Sequence, residues 1–182
     1  MEFSRTRLAD AMVIDMQRHA DSRGFFARTF CAREFAEQGL VTEFVQDSQS
    51  YNRARGTLRG MHFQTAPHRE VKLVRCIAGA VFDVIIDLRA DSPSYLEWEG
   101  FELSAESGRT LYVPEGFAHG FQTLADDTHV LYAISHPYVP EASAGVRHDD
   151  PAFGIAWPLA VTAISDKDAR WPLVARAEGI RV

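Results

Sequence analysis

The residues best suited to chemistry lie in two short, glycine-rich stretches, residues 56–72 and 112–121. The first carries His62 and the second carries His119. An imidazole titrates near neutral pH, so it suits proton transfer or metal ligation. Taken alone, each histidine is equally compatible with a core residue satisfied by hydrogen bonds, since buried polar groups in proteins are normally paired.

Arg59 and Gln64 add polar character to the first stretch. Arg59 precedes His62 by three residues, so a regular strand would place the two side chains on opposite faces. A β-bulge at Gly60 would bring them to the same face. A guanidinium can grip a diphosphate at two points, which predicts an anion contact beside the imidazole.

Two histidine motifs in neighbouring strands are typical of cupins, many of which bind metal. The metal-binding pattern is Gly-x5-His-x-His-x3–4-Glu, followed by Pro-x-Gly-x2-His. Residues 56–62 and 114–119 match the two histidine spacings, but Gln64 occupies the position of the second histidine. Two imidazoles and an amide form a poor transition-metal site.

Glu70 offers a carboxylate ligand, yet Lys72 follows it closely, and an ammonium repels a bound cation. We therefore expect a metal-free site. Two alternatives stay open: a metal-dependent cupin oxygenase or isomerase that uses His62, His119 and Glu70, and a non-catalytic sugar-binding cupin.

The elements that must position these residues are short strands. Strands without helices between them predict an antiparallel barrel or sandwich, and one domain is expected over residues 1–182. Helix signals are limited to residues 32–38 and to a short turn opened by Ser165. The tail after Pro137 predicts irregular structure that wraps the barrel. The predicted strands cover residues 71–77, 81–88, 96–103, 110–113 and 129–135.

Composition excludes several classes of function. The net charge of −6 argues against general binding of nucleic acid or anionic membrane, both of which need a basic face. No apolar run is long enough to span a bilayer, and the N-terminus lacks a signal pattern. Cys31 and Cys76 show no ligand spacing. A cytoplasmic location is therefore expected.

From about residue 13 to residue 172 the chain resembles the dTDP-4-dehydrorhamnose 3,5-epimerase family. The resemblance implies a cupin-type double-stranded jelly-roll β-barrel with short helices and an irregular C-terminal tail. It also implies a homodimer that uses no metal or cofactor. The implied substrate is a nucleotide-diphosphate 4-keto-6-deoxy sugar, which the enzyme epimerises at C3, C5 or both. The matching motifs are DSRGFF (21–26), FVQD (44–47), LRGMHFQ (58–64), KLVR (72–75), FDVIIDLR (82–89), PEGFAHGF (114–121), DP (150–151), WP (157–158) and SDKD (165–168).

The same resemblance implies a role for each matching residue. His62 matches the general base, Asp168 its carboxylate partner, and Lys72 the lysine near the keto oxygen. Tyr132 matches the proton donor, and Tyr138 a second active-site tyrosine. The predicted substrate-binding set is Arg23, Phe25, Arg28, Gln46, Asp47, Ser48, Arg59, Gln64, His119 and Lys167.

Two further expectations follow from the resemblance. Family members exchange N-terminal strands, so Arg23 and Phe25 are expected to reach the site of a second subunit. Arg28 stands where the family usually carries a glutamate that contacts thymine, and an arginine cannot accept the thymine N–H. We therefore expect thymidine to be disfavoured or held differently.

Overall fold

Two antiparallel sheets face each other in the computed structural model, which describes residues 1–174. Side chains alternate between the two faces of each strand, so a strand of these two sheets directs every second residue toward the space between them. The all-β jelly-roll prediction is confirmed. The strands are β1 (Glu2–Arg5), β2 (Met12–Asp15), β3 (Arg18–Asp21), β4 (Gly24–Ala27), β5 (Gln46–Asn52), β6 (Leu58–Gln64), β7 (Lys72–Ala78), β8 (Ala80–Asp87), β9 (Trp98–Ser104), β10 (Thr110–Val113), β11 (Phe117–Thr123), β12 (Thr128–Ile134) and β13 (Ser143–Gly145).

The larger sheet has the order β1-β2-β10-β7-β12-β5, and the smaller has β13-β6-β11-β8-β9. The packed interior between them holds large apolar side chains, including Val74, Ile85 and Phe121, each at most 1% exposed. Burying such side chains contributes about 1.5–3 kcal/mol each before entropy is counted, so this core holds the two sheets together.

A third, two-stranded sheet is not part of either barrel sheet. Strands β3 and β4 form a two-stranded hairpin and pair only with each other within residues 1–174. The hairpin carries Phe25 and Phe26, which are 55% and 72% exposed. Aromatic residues are enriched at protein interfaces, so the two exposed rings indicate an interaction surface.

Within residues 1–174, helical structure is limited to short segments, as predicted. Helix α1 spans Ala32–Glu37, helix α2 spans Asp166–Ala169, and a 3₁₀ turn covers Pro140–Ala142. Ser165 caps α2 by accepting a hydrogen bond from the Asp168 amide. None of the helices in the described part of the chain has the length and apolarity needed to cross a membrane.

The C-terminal segment covers the outer face of the smaller sheet. Phe153 and Trp157 pack against buried Met61 and Val84, which confirms the predicted wrapping tail up to residue 174. Residues 175–182, which the single-domain prediction also includes, lie outside the described residues.

Candidate active site

A cavity of about 520 Å³ lies between the two sheets. Strands β5, β7 and β12 form one wall, β6 and β11 form the other, and α2 closes one side. The structure brings most of the predicted residues to this cavity: His62, Lys72, Tyr132, Asp168, Gln46, Ser48, Arg59, Gln64, His119, Tyr138 and Lys167.

A bulge in β6 places Arg59 and His62 on the same wall. His119 on β11 pairs with His62 on β6, and Phe121 pairs with Arg59. The two β6 residues are three positions apart and their β11 partners only two, so β6 contains one extra residue. Gly60 supplies the extra residue with a φ of +140°. A Cβ atom there would lie 2.6 Å from the Gly120 Cα, so only glycine fits at this position. Of the two alternatives that the sequence left open, a regular strand or a bulge at Gly60, the structure shows the bulge.

His62 and Asp168 form a hydrogen-bonded pair at the cavity wall. His62 Nε2 lies 2.7 Å from Asp168 Oδ1, and the Gly60 amide donates to Asp168 Oδ2 at 3.2 Å. Burial alone would raise the pKa of the Asp168 carboxyl, but the hydrogen bonds from His62 and Gly60 outweigh it and hold that pKa below its usual value. Asp168 is therefore ionised at neutral pH and can orient the imidazole and stabilise its protonated form.

His119 has its own carboxylate partner. Its Nε2 lies 3.0 Å from both oxygens of Asp83, which is fully buried in β8. Burial raises the pKa of Asp83, although the adjacent His119 opposes part of that rise. Asp83 is thus a core carboxylate satisfied by hydrogen bonds.

Lys72 lies at the start of β7 with its side chain one-tenth exposed. Its ammonium is 2.9 Å from Glu70 Oε1 and 3.3 Å from the His62 carbonyl oxygen. A buried ammonium needs such partners because desolvating a charge is costly. The cavity therefore contains a fixed positive charge next to the strand that carries the imidazole.

Tyr132 projects into the cavity from β12, near the ring of His119. Its hydroxyl oxygen lies 3.3 Å from Ser50 Oγ. Burial raises the pKa of Tyr132 well above its usual value, and the hydrogen bond with Ser50 offsets only part of this. The hydroxyl is therefore protonated at neutral pH and able to donate a proton.

Gln46 and Gln64 hold the segment that carries Tyr138. Gln46 Oε1 accepts the Tyr138 amide at 3.1 Å, and Gln64 Oε1 accepts the Val139 amide at 2.7 Å. The two residues predicted to bind substrate thus use their side-chain carbonyl oxygens to hold backbone.

Four predicted substrate-binding residues lie away from this cavity. Asp47 is exposed on the opposite face of β5, because neighbouring residues of a strand point to opposite sides. Arg23 lies on the β3–β4 hairpin and pairs with Asp21, and Phe25 is exposed on the same hairpin. Arg28 follows the hairpin and forms an ion pair with Glu34 at 3.2 Å.

Sequence reasoning missed two polar residues of β5 that belong to this network. Ser50 contacts Tyr132, and Asn52 accepts a hydrogen bond from Arg59 Nε at 2.7 Å. Both continue the alternation of Gln46 and Ser48, so the period of two along β5 was a signal that could have identified them.

The metal-ligand alternative does not fit this geometry. His62 and His119 direct their Nε2 atoms at two different carboxylates, and Glu70 is engaged by Lys72. Within residues 1–174, no three His, Cys, Asp or Glu side chains cluster in an arrangement that could hold a metal ion. The side chains instead provide a base, an acid and a cation within one cavity, which is the equipment for proton transfer next to a carbonyl.

Comparison with known proteins agrees with this chemistry. The family described as dTDP-4-dehydrorhamnose 3,5-epimerase matches residues 5–176. The dTDP-4-dehydrorhamnose 3,5-epimerase of Methanothermobacter thermautotrophicus is 45% identical over 93% of this chain and 92% of its own. The Bacillus anthracis enzyme, solved with TDP and pyrophosphate, has a TM-score of 0.92 at 40% identity, covering 95% of this chain and 99% of that one.

A third similar structure carries a sugar nucleotide. The Legionella pneumophila epimerase in complex with dTDP-4-keto-L-rhamnose has a TM-score of 0.89 at 37% identity, covering 94% of this chain and 92% of that one. The fold and the site therefore define a cupin-type carbohydrate epimerase, an enzyme of the isomerase class. The chain belongs to the dTDP-4-dehydrorhamnose 3,5-epimerase family.

Proposed function

We propose that this enzyme inverts C3, C5 or both in a nucleoside-diphosphate 4-keto-6-deoxy sugar, by removing a proton from one face and returning one to the other. The observation that carries the proposal is that the His62–Asp168 pair and the protonated Tyr132 line one cavity. The similar Legionella enzyme binds a dTDP-linked 4-keto sugar, which supports the same substrate class here.

Proton removal is the first step. A hydrogen on a carbon next to a ketone is weakly acidic, so its removal needs a positioned base and a stabilised enolate. His62 supplies the base: its Nε2 is engaged by Asp168, which leaves Nδ1 as the nitrogen that accepts the proton. Lys72 supplies positive charge for the enolate oxygen at C4. Both C3 and C5 flank that carbon, so one ketone serves either inversion.

Proton return completes the inversion. Tyr132 lies on β12 of the larger sheet, whereas His62 lies on β6 of the smaller sheet, so the acid and the base belong to opposite walls. A donor on the wall opposite the base delivers a proton to the opposite face of the sugar. The raised pKa of Tyr132 keeps the hydroxyl proton in place at neutral pH.

Arg59 and Lys167 are proposed as the diphosphate contacts. Both line the cavity and carry charges that complement a diphosphate. Arg59 is fixed by hydrogen bonds to Asn52 Oδ1 and to the Tyr51 carbonyl oxygen. Lys167 donates to Ser143 Oγ at 3.3 Å. A prepositioned guanidinium loses little freedom when the ligand binds, which favours affinity.

Solvent deuterium incorporation tests the proposed reaction. Purified enzyme in deuterated water is mixed with dTDP-, UDP-, GDP- and CDP-linked 4-keto-6-deoxy sugars, and label at C3 and C5 is read by NMR. We expect label at one or both carbons together with the inverted product. Binding of the sugars without any label would instead support the non-catalytic sugar-binding alternative.

We also propose that the active enzyme is a homodimer in which the β3–β4 hairpin docks near the cavity of the second subunit. The support is that the hairpin joins neither barrel sheet and exposes Phe25 and Phe26. Arg23 and Phe25 would then contact substrate in the neighbouring site. Light scattering tests this directly: a fully active monomer at assay concentration would reject the dimer.

The cytoplasmic location and the single domain over residues 1–182 stay predictions. Epitope-tagged enzyme followed through cell fractionation checks the location, and a single cooperative unfolding transition checks the domain.

A further inference from the structure

Glu70 occupies the cavity wall although it lies on the connection between β6 and β7 rather than on a strand. Only one-tenth of its side chain is exposed. A carboxylate this well buried must be paired, because removing an unpaired charge from water is strongly unfavourable. Its partners therefore show what it does.

Each carboxylate oxygen of Glu70 accepts from a different member of the site. Oε1 is 2.9 Å from the Lys72 ammonium nitrogen, and Oε2 accepts from Gln64 Nε2 at 2.8 Å. Glu70 thus bridges the cation of the cavity and the amide of Gln64.

The orientation of the Gln64 amide follows from its other contacts. Its Oε1 accepts the Val139 backbone N–H at 2.7 Å, and a backbone N–H can only donate. Nε2 must therefore point the other way, where it donates to Glu70 and also to the His68 and Pro137 carbonyl oxygens at 3.1 and 3.3 Å. The side chain of residue 70 consequently faces two donors, Gln64 Nε2 and Lys72 Nζ. Each donor needs its own acceptor atom on that side chain.

Only a carboxylate satisfies both donors in this geometry. The amide of a glutamine has one oxygen, so its NH₂ group would face either the ammonium or the Gln64 NH₂. The choice of glutamate at position 70 is therefore tied to the contacts on both sides of it.

These contacts extend to the segment that carries Tyr138. Gln64 binds the residues on either side of it, Pro137 and Val139, and Gln46 accepts the Tyr138 amide itself. We propose that Glu70 is a positioning residue that holds the Lys72 ammonium and, through Gln64, the Tyr138 segment in one fixed arrangement. Its importance for turnover rests on the function proposed above.

Two measurements on the full chain test this role. The first compares kcat and KM of wild type, Glu70→Ala and Glu70→Gln with a dTDP-linked 4-keto-6-deoxy sugar. The second follows hydrogen exchange at the Val139 amide by NMR and needs no turnover. Glu141→Gln is the matched control, since Glu141 is exposed on the adjacent 3₁₀ turn.

We expect Glu70→Ala to lower kcat by about 10- to 100-fold, the size of effect that misplaced catalytic groups produce, while KM changes by less than about threefold. The kcat of Glu70→Gln should lie between those of wild type and Glu70→Ala. Hydrogen exchange at the Val139 amide should be about tenfold faster in Glu70→Ala, because Gln64 Oε1, the acceptor of that amide, is no longer held in place. The exchange rate should stay unchanged in Glu141→Gln.

Unchanged Val139 protection in Glu70→Ala would overturn the proposal, as would kcat within twofold of wild type. If Glu70→Ala does not fold, the nearly isosteric Glu70→Gln decides by the same two measurements. A wild-type enzyme that converts none of the sugars would reject the proposed reaction, while the exchange measurement would still decide the role of Glu70.

Discussion

His62 Nε2 lies 2.7 Å from Asp168 Oδ1, across 106 residues of sequence. The carboxylate is ionised at neutral pH because hydrogen bonds hold its pKa below the usual value. It therefore selects the tautomer with the proton on Nε2 and leaves Nδ1 basic.

This relationship predicts the effects of two substitutions. His62→Ala should abolish both turnover and deuterium exchange, because no C–H bond is broken without the base. Asp168→Asn keeps the side-chain shape but removes the charge, so kcat should fall by about 10²–10⁴-fold, the usual contribution of a general acid–base group. Steady-state assays check this. Near-normal exchange by His62→Ala would show that another group is the base, and near-normal exchange by Asp168→Asn would show that the base does not need the carboxylate.

Tyr132→Phe should separate exchange from inversion. Removal and return of a proton on the His62 face do not require the tyrosine hydroxyl, so some deuterium exchange should persist. Inversion should fall much further than exchange, by about 10²-fold or more. NMR of the sugar in deuterated water measures both rates at once. If inversion is almost unchanged, Tyr132 only packs the barrel, and Tyr138 or water becomes the candidate donor.

The raised pKa of Tyr132 predicts a specific pH dependence of stability. A group that binds its proton more tightly when folded contributes stability below its unfolded pKa, near pH 10, and loses it as the pH rises further. The free energy of unfolding should therefore decrease more steeply above about pH 10 in wild type than in Tyr132→Phe. Denaturant titrations at several alkaline pH values check this. Parallel curves for the two proteins would contradict the burial of the hydroxyl.

Gly60→Ala should destabilise the fold through the bulge of β6. The added methyl group would meet the Gly120 Cα at 2.6 Å, and overpacking of this kind costs about 1–3 kcal/mol. Gly39→Ala is the control, because Gly39 also has a positive φ but has no atom within 4 Å of the added carbon. The denaturation midpoint should fall further for Gly60→Ala. Equal losses would mean that backbone strain, rather than close contact with β11, requires the glycine.

The arginine at position 28 predicts which nucleotide base the enzyme prefers in its substrate. Its guanidinium cannot accept the thymine N–H, and it already pairs with Glu34. Turnover with the dTDP sugar should therefore not exceed turnover with the UDP, GDP and CDP analogues. Arg28→Glu, which restores an acceptor, should raise kcat/KM for the dTDP sugar relative to the others. A clear wild-type preference for the dTDP sugar would contradict this prediction.

The sequence was informative where a local rule applied. Apolar runs bounded by turn residues predicted the buried strands β7 and β8, and Ser165 predicted the start of α2. Gly60 marked the place where a bulge could occur, because few other residues tolerate that backbone. The period of two along β5 would also have separated Asp47 from Gln46 and Ser48, had it been applied residue by residue.

Long-range pairings were harder to predict. Nothing in the local sequence links Asp83 to His119, or Glu70 to the Tyr138 segment, because strand order and register decide which side chains meet. Glu70 was expected at most as a metal ligand. Its place beside Lys72 and Gln64 follows from how β6 and β7, which belong to different sheets, approach each other around the cavity.

The position of Asp168 near the end of the described chain has a consequence for synthesis of the enzyme. All the barrel strands precede α2, so a ribosome completes them before it adds the carboxylate that orients His62. A polypeptide released prematurely, before residue 168, carries every strand of the described chain but lacks the partner of its base. Catalytic activity therefore requires translation through at least residue 168, beyond the last of those strands.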